Sequence, residues 1–111
     1  METITVKDKK LELDENGFLT NSNAWDRNVA SYMAAVEGIQ MTEPHWAVVN
    51  FVRDYYQQYQ VAPPIKLLVK EIARTEGSQK ANTKYLYTLY PCGPATQACN
   101  IAGLPRPNGC V

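Results

Sequence analysis

Histidine is almost missing from this sequence: His45 is the only one in 111 residues. That leaves little for a histidine-based nucleophile–base pair, and no glycine-rich loop is spaced to cradle a phosphate. His45 falls in the first turn of an expected helix and reads as a partly exposed structural residue. Long apolar runs are missing too, with nothing near the roughly 20 residues of a membrane span. The opening Met-Glu-Thr-Ile-Thr lacks the basic start and apolar stretch of a secretory signal, so a cytoplasmic protein is expected. Net charge is absent, 11 basic groups cancelling 11 acidic ones, which removes the strong positive field typical of nucleic-acid binders. Cysteine is absent from all but the last 20 residues, where Cys92, Cys99 and Cys110 are gathered. A disulfide framework would spread its cysteines across the fold, and stable disulfides are rare in the cytoplasm. No Cys-x-x-Cys pair exists, so a zinc site built from these cysteines and His45 is rejected and no metal is expected.

What is present describes one ordinary domain, 45% hydrophobic. The cancelled charge is unevenly placed. Residues 1–63 hold nine acidic and five basic groups, while residues 64–111 hold two acidic and six basic. The C-terminal half therefore favours an anionic partner or ligand.

Ile4 and Val6, then Leu11 and Leu13, alternate with polar residues around Lys7-Asp8-Lys9-Lys10, predicting a hairpin, with Gly17-Phe18-Leu19 as a short third strand. Asn23 is placed to cap a first helix from about Ala24 to Glu37, with Trp25, Val29, Tyr32, Met33 and Val36 inward and Gly38 ending it. Thr42 caps a second helix to about Gln60 carrying Trp46, Val49, Val52, Tyr55, Tyr56 and Tyr59. After the Val61-Ala62-Pro63-Pro64 turn, a third helix runs to Thr75 with Ile65, Leu68, Val69 and Ile72 inward. A polar loop over 76–81 leads to a fourth helix capped by Asn82 and stopped by Pro91. Gly93-Pro94 opens a short fifth helix ended by Gly103. The expected fold is α+β, mostly α: a compact helical bundle with a helix-turn-helix, a small N-terminal β-hairpin and a flexible C-terminal arm. The domain would span residues 1–103 and the arm residues 104–111.

A cysteine at the penultimate position cannot be relied on as core filler, because chain ends fray. As a reactive group it makes sense. An extended arm of about 3.3 Å per residue carries Cys110 well away from the body, Pro105 and Pro107 stiffen the arm, and Gly109 clears space beside the thiol. Cys99 lies eleven positions earlier on the fifth helix, with Gly103 between as a hinge, and closing so short a loop costs little. The arm can then return Cys110 to Cys99, directly or through an intervening sulfur. Arg106 is the only charged side chain after Cys92, and its charge favours thiolate or an anionic partner. The terminal carboxylate opposes it, so activation is expected to await a cationic partner site. Cys92, between Pro91 and Gly93, reads first as a turn residue.

At these residues the sequence resembles the DsrC/TusE family. The string from Lys84-Tyr85-Leu86-Tyr87 through Tyr90-Pro91, Gly93-Pro94-Ala95 and Ala98-Cys99 to Ala102-Gly103-Leu104-Pro105-Arg106-Pro107, ending Gly109-Cys110-Val111, looks like that family's signature. Trp25, the Thr42-to-Trp46 helix start, Phe51 to Tyr59 and Ala62-Pro63 fit as well. Asn108 stands where threonine is common, and Cys92 occupies a variable position. The resemblance implies a sulfur carrier with no cofactor of its own, a protein co-substrate more than a catalyst. In TusE-type members the penultimate cysteine, here Cys110, relays sulfur toward tRNA thiolation. The second cysteine, here Cys99, marks the DsrC type, which serves dissimilatory sulfite reductase. There the arm approaches the partner's siroheme and sulfur is held as a Cys110–Cys99 trisulfide, later reduced by a membrane redox complex. In sulfur oxidisers Cys110 instead carries a persulfide delivered by upstream relay proteins. The direction of flow stays open.

Two other readings compete. One is a TusE-like persulfide carrier, against which Cys99 argues, since simple hand-off needs one thiol. The other is DNA reading: Lys66, Lys70 and Arg74 follow one another at helical spacing after the Pro63-Pro64 turn. Three cations are few for phosphate contact, so a solvated basic face or a protein docking face is favoured over nucleic acid. A mobile reactive tail suits a protein that is monomeric when free.

Overall fold

The computed structural model describes residues 2–107. Strands β1 (Glu2–Val6) and β2 (Lys9–Leu13) pair antiparallel, Ile4 opposite Leu11 and Val6 opposite Lys9. Lys7 and Asp8 form the two-residue turn with φ of 50° and 68°, the left-handed pair that matches strand twist. Leu19 returns to bridge Leu13, which makes the expected third strand a single bridge. A hairpin alone is marginal in water. This one buries Val6, Leu11 and Leu13 in a core shared with the helices.

Five α-helices follow: α1 (Arg27–Val36), α2 (Glu43–Tyr59), α3 (Ile65–Glu76), α4 (Thr83–Leu89) and α5 (Pro94–Ile101). The first helix departs from the sequence expectation. Residues Ser22–Ala24 form a 3-10 turn capped by Asn21, Trp25 is extended, and Asp26 caps α1 by accepting the Val29 N–H at 3.0 Å. Asn23 is therefore not the cap. A short carboxylate suits a helix start, and Lys9 holds its other oxygen at 3.0 Å. With Trp25 outside the helix, the buried face is Val29, Ala30, Met33 and Ala34. Tyr32 is exposed, and Val36 more so at 68%. Small alanines suit the close approach of α1 to α5.

Helix α2 begins after Thr42 as expected, and α4 after Asn82, whose side chain accepts the Tyr85 N–H at 2.8 Å. Helix α2 buries Val48, Val49 and Val52 fully, whereas Tyr55 and Tyr56 are half-buried and Tyr59 is exposed. A short turn joins α2 to α3, and the two pack against each other. Helix α3 buries Leu68 and Ile72 together with Glu71.

Candidate functional site

Every late carbonyl of α5 has a donor. The Leu104 N–H reaches Cys99 O at 3.0 Å and the Gly103 N–H reaches Asn100 O at 3.2 Å. This paired closure, with Gly103 at φ +73°, is the left-handed stop that ends many helices. Two distant side chains complete it. The Trp25 indole N–H donates to Ile101 O at 2.8 Å, and Arg53 Nη1 donates to Ala102 O at 2.7 Å. Arg53 also lies 4.1 Å over the Trp25 ring. A cation at a helix C-terminus complements the helix dipole as well as the carbonyl. Burial lowers the Arg53 pKa somewhat, and Asp54 works against that fall.

The consequence is a fixed root for the C-terminal segment. Gly103 is buried, and a Cβ placed on it would lie 2.5 Å from Trp25 Cδ1. Gly103, the residue expected as a hinge, packs as the stop of α5, where only glycine fits between the backbone turn and the indole. Leu104 is buried as well, and exposure begins at Pro105.

Cys99 occupies the last turn of α5, in the core, at 1% exposure. Its backbone is bonded to Leu104, so the second expected thiol stands where the arm begins. Cys110, with Val111, lies outside the described residues. Arg106 is exposed and lines a cleft of about 300 Å³ with Asn16, Phe18, Glu37, Cys92 and Gln97 among its walls. Its other side borders Tyr56, Val61 and Ala62.

The basic row on α3 is only partly free. Lys66 and Lys70 are exposed, and neither forms an ion pair among the described residues. Arg74 is held by both oxygens of Glu71. That pairing raises the Arg74 pKa, the hydrogen bond acting before the charge. The sequence reading missed Glu71, whose inward place between Leu68 and Ile72 follows the helical period. Nothing in the sequence pointed to Arg53.

His45 is more enclosed than expected, at 7% exposure. Its Nδ1 accepts the Thr42 N–H at 3.2 Å and lies 2.7 Å from Thr42 Oγ1, and its Nε2 donates to Leu89 O at 2.8 Å. Burial lowers its pKa from 6.5, and the Leu89 carbonyl partly opposes that. Tyr90, stacked edge-on at 5.1 Å, donates its hydroxyl to the His45 carbonyl at 2.9 Å. The ring ties α2 to the end of α4 and serves the fold.

The family model described as "DsrC like protein" matches residues 5–111. The chain belongs to the DsrC-like family. It is 48% identical to Allochromatium vinosum DsrC, whose NMR structure superposes with a TM-score of 0.86 over 99% of this chain and 98% of that one. The crystal structure of the oxidized gamma-subunit of the dissimilatory sulfite reductase (DsrC) from Archaeoglobus fulgidus gives 44% identity and a TM-score of 0.88, covering 99% and 100%. Sulfurtransferase TusE of Photorhabdus laumondii subsp. laumondii is 44% identical over 108 residues, 97% of each chain. The DsrC-like fold bears out the mostly α architecture with a small N-terminal hairpin. No helix among the described residues is long and apolar enough to cross a membrane.

Proposed function

We propose that this chain is a sulfur carrier that takes sulfur on Cys110 and can close that sulfur onto Cys99. The observation that carries the reading is the position of Cys99: its own carbonyl is bonded to Leu104, the last buried residue before the arm. Cys110 lies six positions after Leu104, a reach of about 20 Å when extended. One thiol is thus set in the body at the arm's root and the other is tethered to that root. Burial keeps Cys99 away from bulk thiols and oxidants.

Two thiols suit a carrier that holds its cargo as a persulfide on Cys110 or, closed onto the second thiol, as a Cys99–Cys110 trisulfide. This favours the DsrC role, co-substrate of dissimilatory sulfite reductase acting at that partner's siroheme, with a membrane complex reducing the bridge. The likeness to a DsrC described as a gamma-subunit of that enzyme supports the partner. The equal identity to TusE supports a second reading, a persulfide relay to tRNA thiolation through Cys110 alone. Arg106 at the arm and Lys66 and Lys70 on α3 are the cations offered to partners in either case. Nucleic acid is disfavoured as the ligand of α3, since Arg74 is already engaged by Glu71.

Replacing Cys99 separates the two. Cys99→Ala should stop turnover with sulfite reductase and sulfite while leaving persulfide loading of Cys110 intact. Unchanged turnover in Cys99→Ala would overturn the two-thiol role and leave the single-thiol relay. A Cys110→Ala protein that still accepts sulfur would overturn both.

A further inference from the structure

Two exposed apolar side chains stand together beside the root of the arm. Tyr59 and Val61 are each 57% exposed and flank Gln60. Gln60 takes the left-handed backbone that ends α2, φ 60° and ψ 22°. Its side chain donates to the Tyr56 carbonyl at 3.2 Å and the Gln57 carbonyl at 3.3 Å. That conformation is uncommon for any residue but glycine, so the turn is set by its surroundings. It leaves Val61 on the outside of the molecule.

Val61 borders the arm's root. With Tyr56 and Gln60 it lines a cleft of about 280 Å³ whose other wall is Pro105, Arg106 and Pro107. A second cleft, about 230 Å³, shares Tyr56 and Gln60 and reaches Arg53 and Leu104. Arg53 and Arg106 are the only charged side chains lining either cleft. Arg53 is already engaged by the Ala102 carbonyl, whereas Arg106 is exposed and forms no ion pair among the described residues. Other clefts differ: the one beside Cys92 holds Glu37, and the one along α2 holds Glu43, Asp54 and Glu71. Positive charge without a balancing acid, set beside exposed apolar surface, complements a surface that is both acidic and apolar.

We propose that Tyr59, Val61, Pro105, Arg106 and Pro107 form a docking collar for the protein that exchanges sulfur with this chain. The facing surface of that partner sets carboxylates beside an apolar patch. The proposal rests on the carrier reading above and adds recognition that lies outside the reacting thiols. A partner that receives the arm must close around its root, and the collar is the part of the body it then meets. Pro105 and Pro107 have little backbone freedom to lose on docking.

The test titrates the full-length protein with dissimilatory sulfite reductase at low and at moderate salt, with the urea midpoint of each variant as the check on folding. Val61→Asp should weaken binding by about tenfold or more at an unchanged midpoint. Val61→Lys loses the same apolar contact but adds a favourable charge, and should weaken it less. Arg106→Ala should weaken binding and flatten its salt dependence. Val36→Asp, at the 68% exposed valine of α1, is the control and should bind as the wild type does. Val61→Asp with wild-type affinity, equal losses in Val61→Asp and Val61→Lys, or a matching loss in Val36→Asp would overturn the collar and leave the carrier reading standing. Wild-type protein that does not bind the reductase would overturn the sulfite reductase reading, and this proposal with it.

Discussion

Trp25 and Gly103 are interlocked. The indole N–H holds the carbonyl two residues before the glycine, and the ring fills the space a side chain there would need. Together with Arg53 they set where the C-terminal segment leaves the body.

Gly103→Ala should therefore destabilise the fold by about 2 kcal/mol or more, from a left-handed backbone and an overfilled contact. In a Trp25→Ala background the ring is gone, and the added cost should shrink toward the backbone part, about 1 kcal/mol. Urea denaturation of the four proteins measures the coupling. Strict additivity would deny the interlock.

Arg53→Met should leave the buried Ala102 carbonyl without its donor and cost about 1–3 kcal/mol. Arg53→Lys, which keeps the charge but not the planar contact with Trp25, should recover part of that loss. Equal stability of Met and wild-type proteins would remove Arg53 from the helix end.

His45 gives the stability a pH dependence of known sign. Its folded pKa is held below 6.5 by burial, so on acidification the unfolded chain takes the proton first. The contribution is complete above about pH 6.5 and is lost as pH falls through and below that value. Urea midpoints from about pH 8 to about pH 5 should fall in the wild type and fall less steeply in His45→Gln. The Asp26 carboxylate titrates lower still, pulled down first by the Val29 N–H and then by Lys9, and leaves that window clear.

Lys66→Glu/Lys70→Glu should change stability by no more than about 0.5 kcal/mol, since both side chains are exposed. Binding to sulfite reductase should weaken and lose part of its salt dependence if this face docks. Unaltered affinity and salt slope would assign the row to solvent.

Local chemistry made much of this fold legible. Alternation around Lys7-Asp8 specified the hairpin, while Thr42, Asn82, Gly38 and Gly103 marked the helix ends where they stand. The error at Asn23 has a definite cause: apolar residues at helical spacing continue from Trp25 into α1, and periodicity does not reveal that Trp25 leaves the helix to reach Ile101. Contacts of this kind join residues 76 apart in sequence, and the Arg53–Ala102 bond spans 49. The cysteines were visible from their positions. That Cys99 lies in the core while Cys92 faces a cleft with Arg106 required the packing of α5.

The most direct test is the intact mass of the full-length protein after turnover with sulfite reductase, its electron donor and sulfite. A carrier gains one sulfur mapped to residues 99–111, and Cys110→Ala gains none. Protein recovered with Cys99 and Cys110 both unmodified after turnover, and equally so after polysulfide, would contradict it.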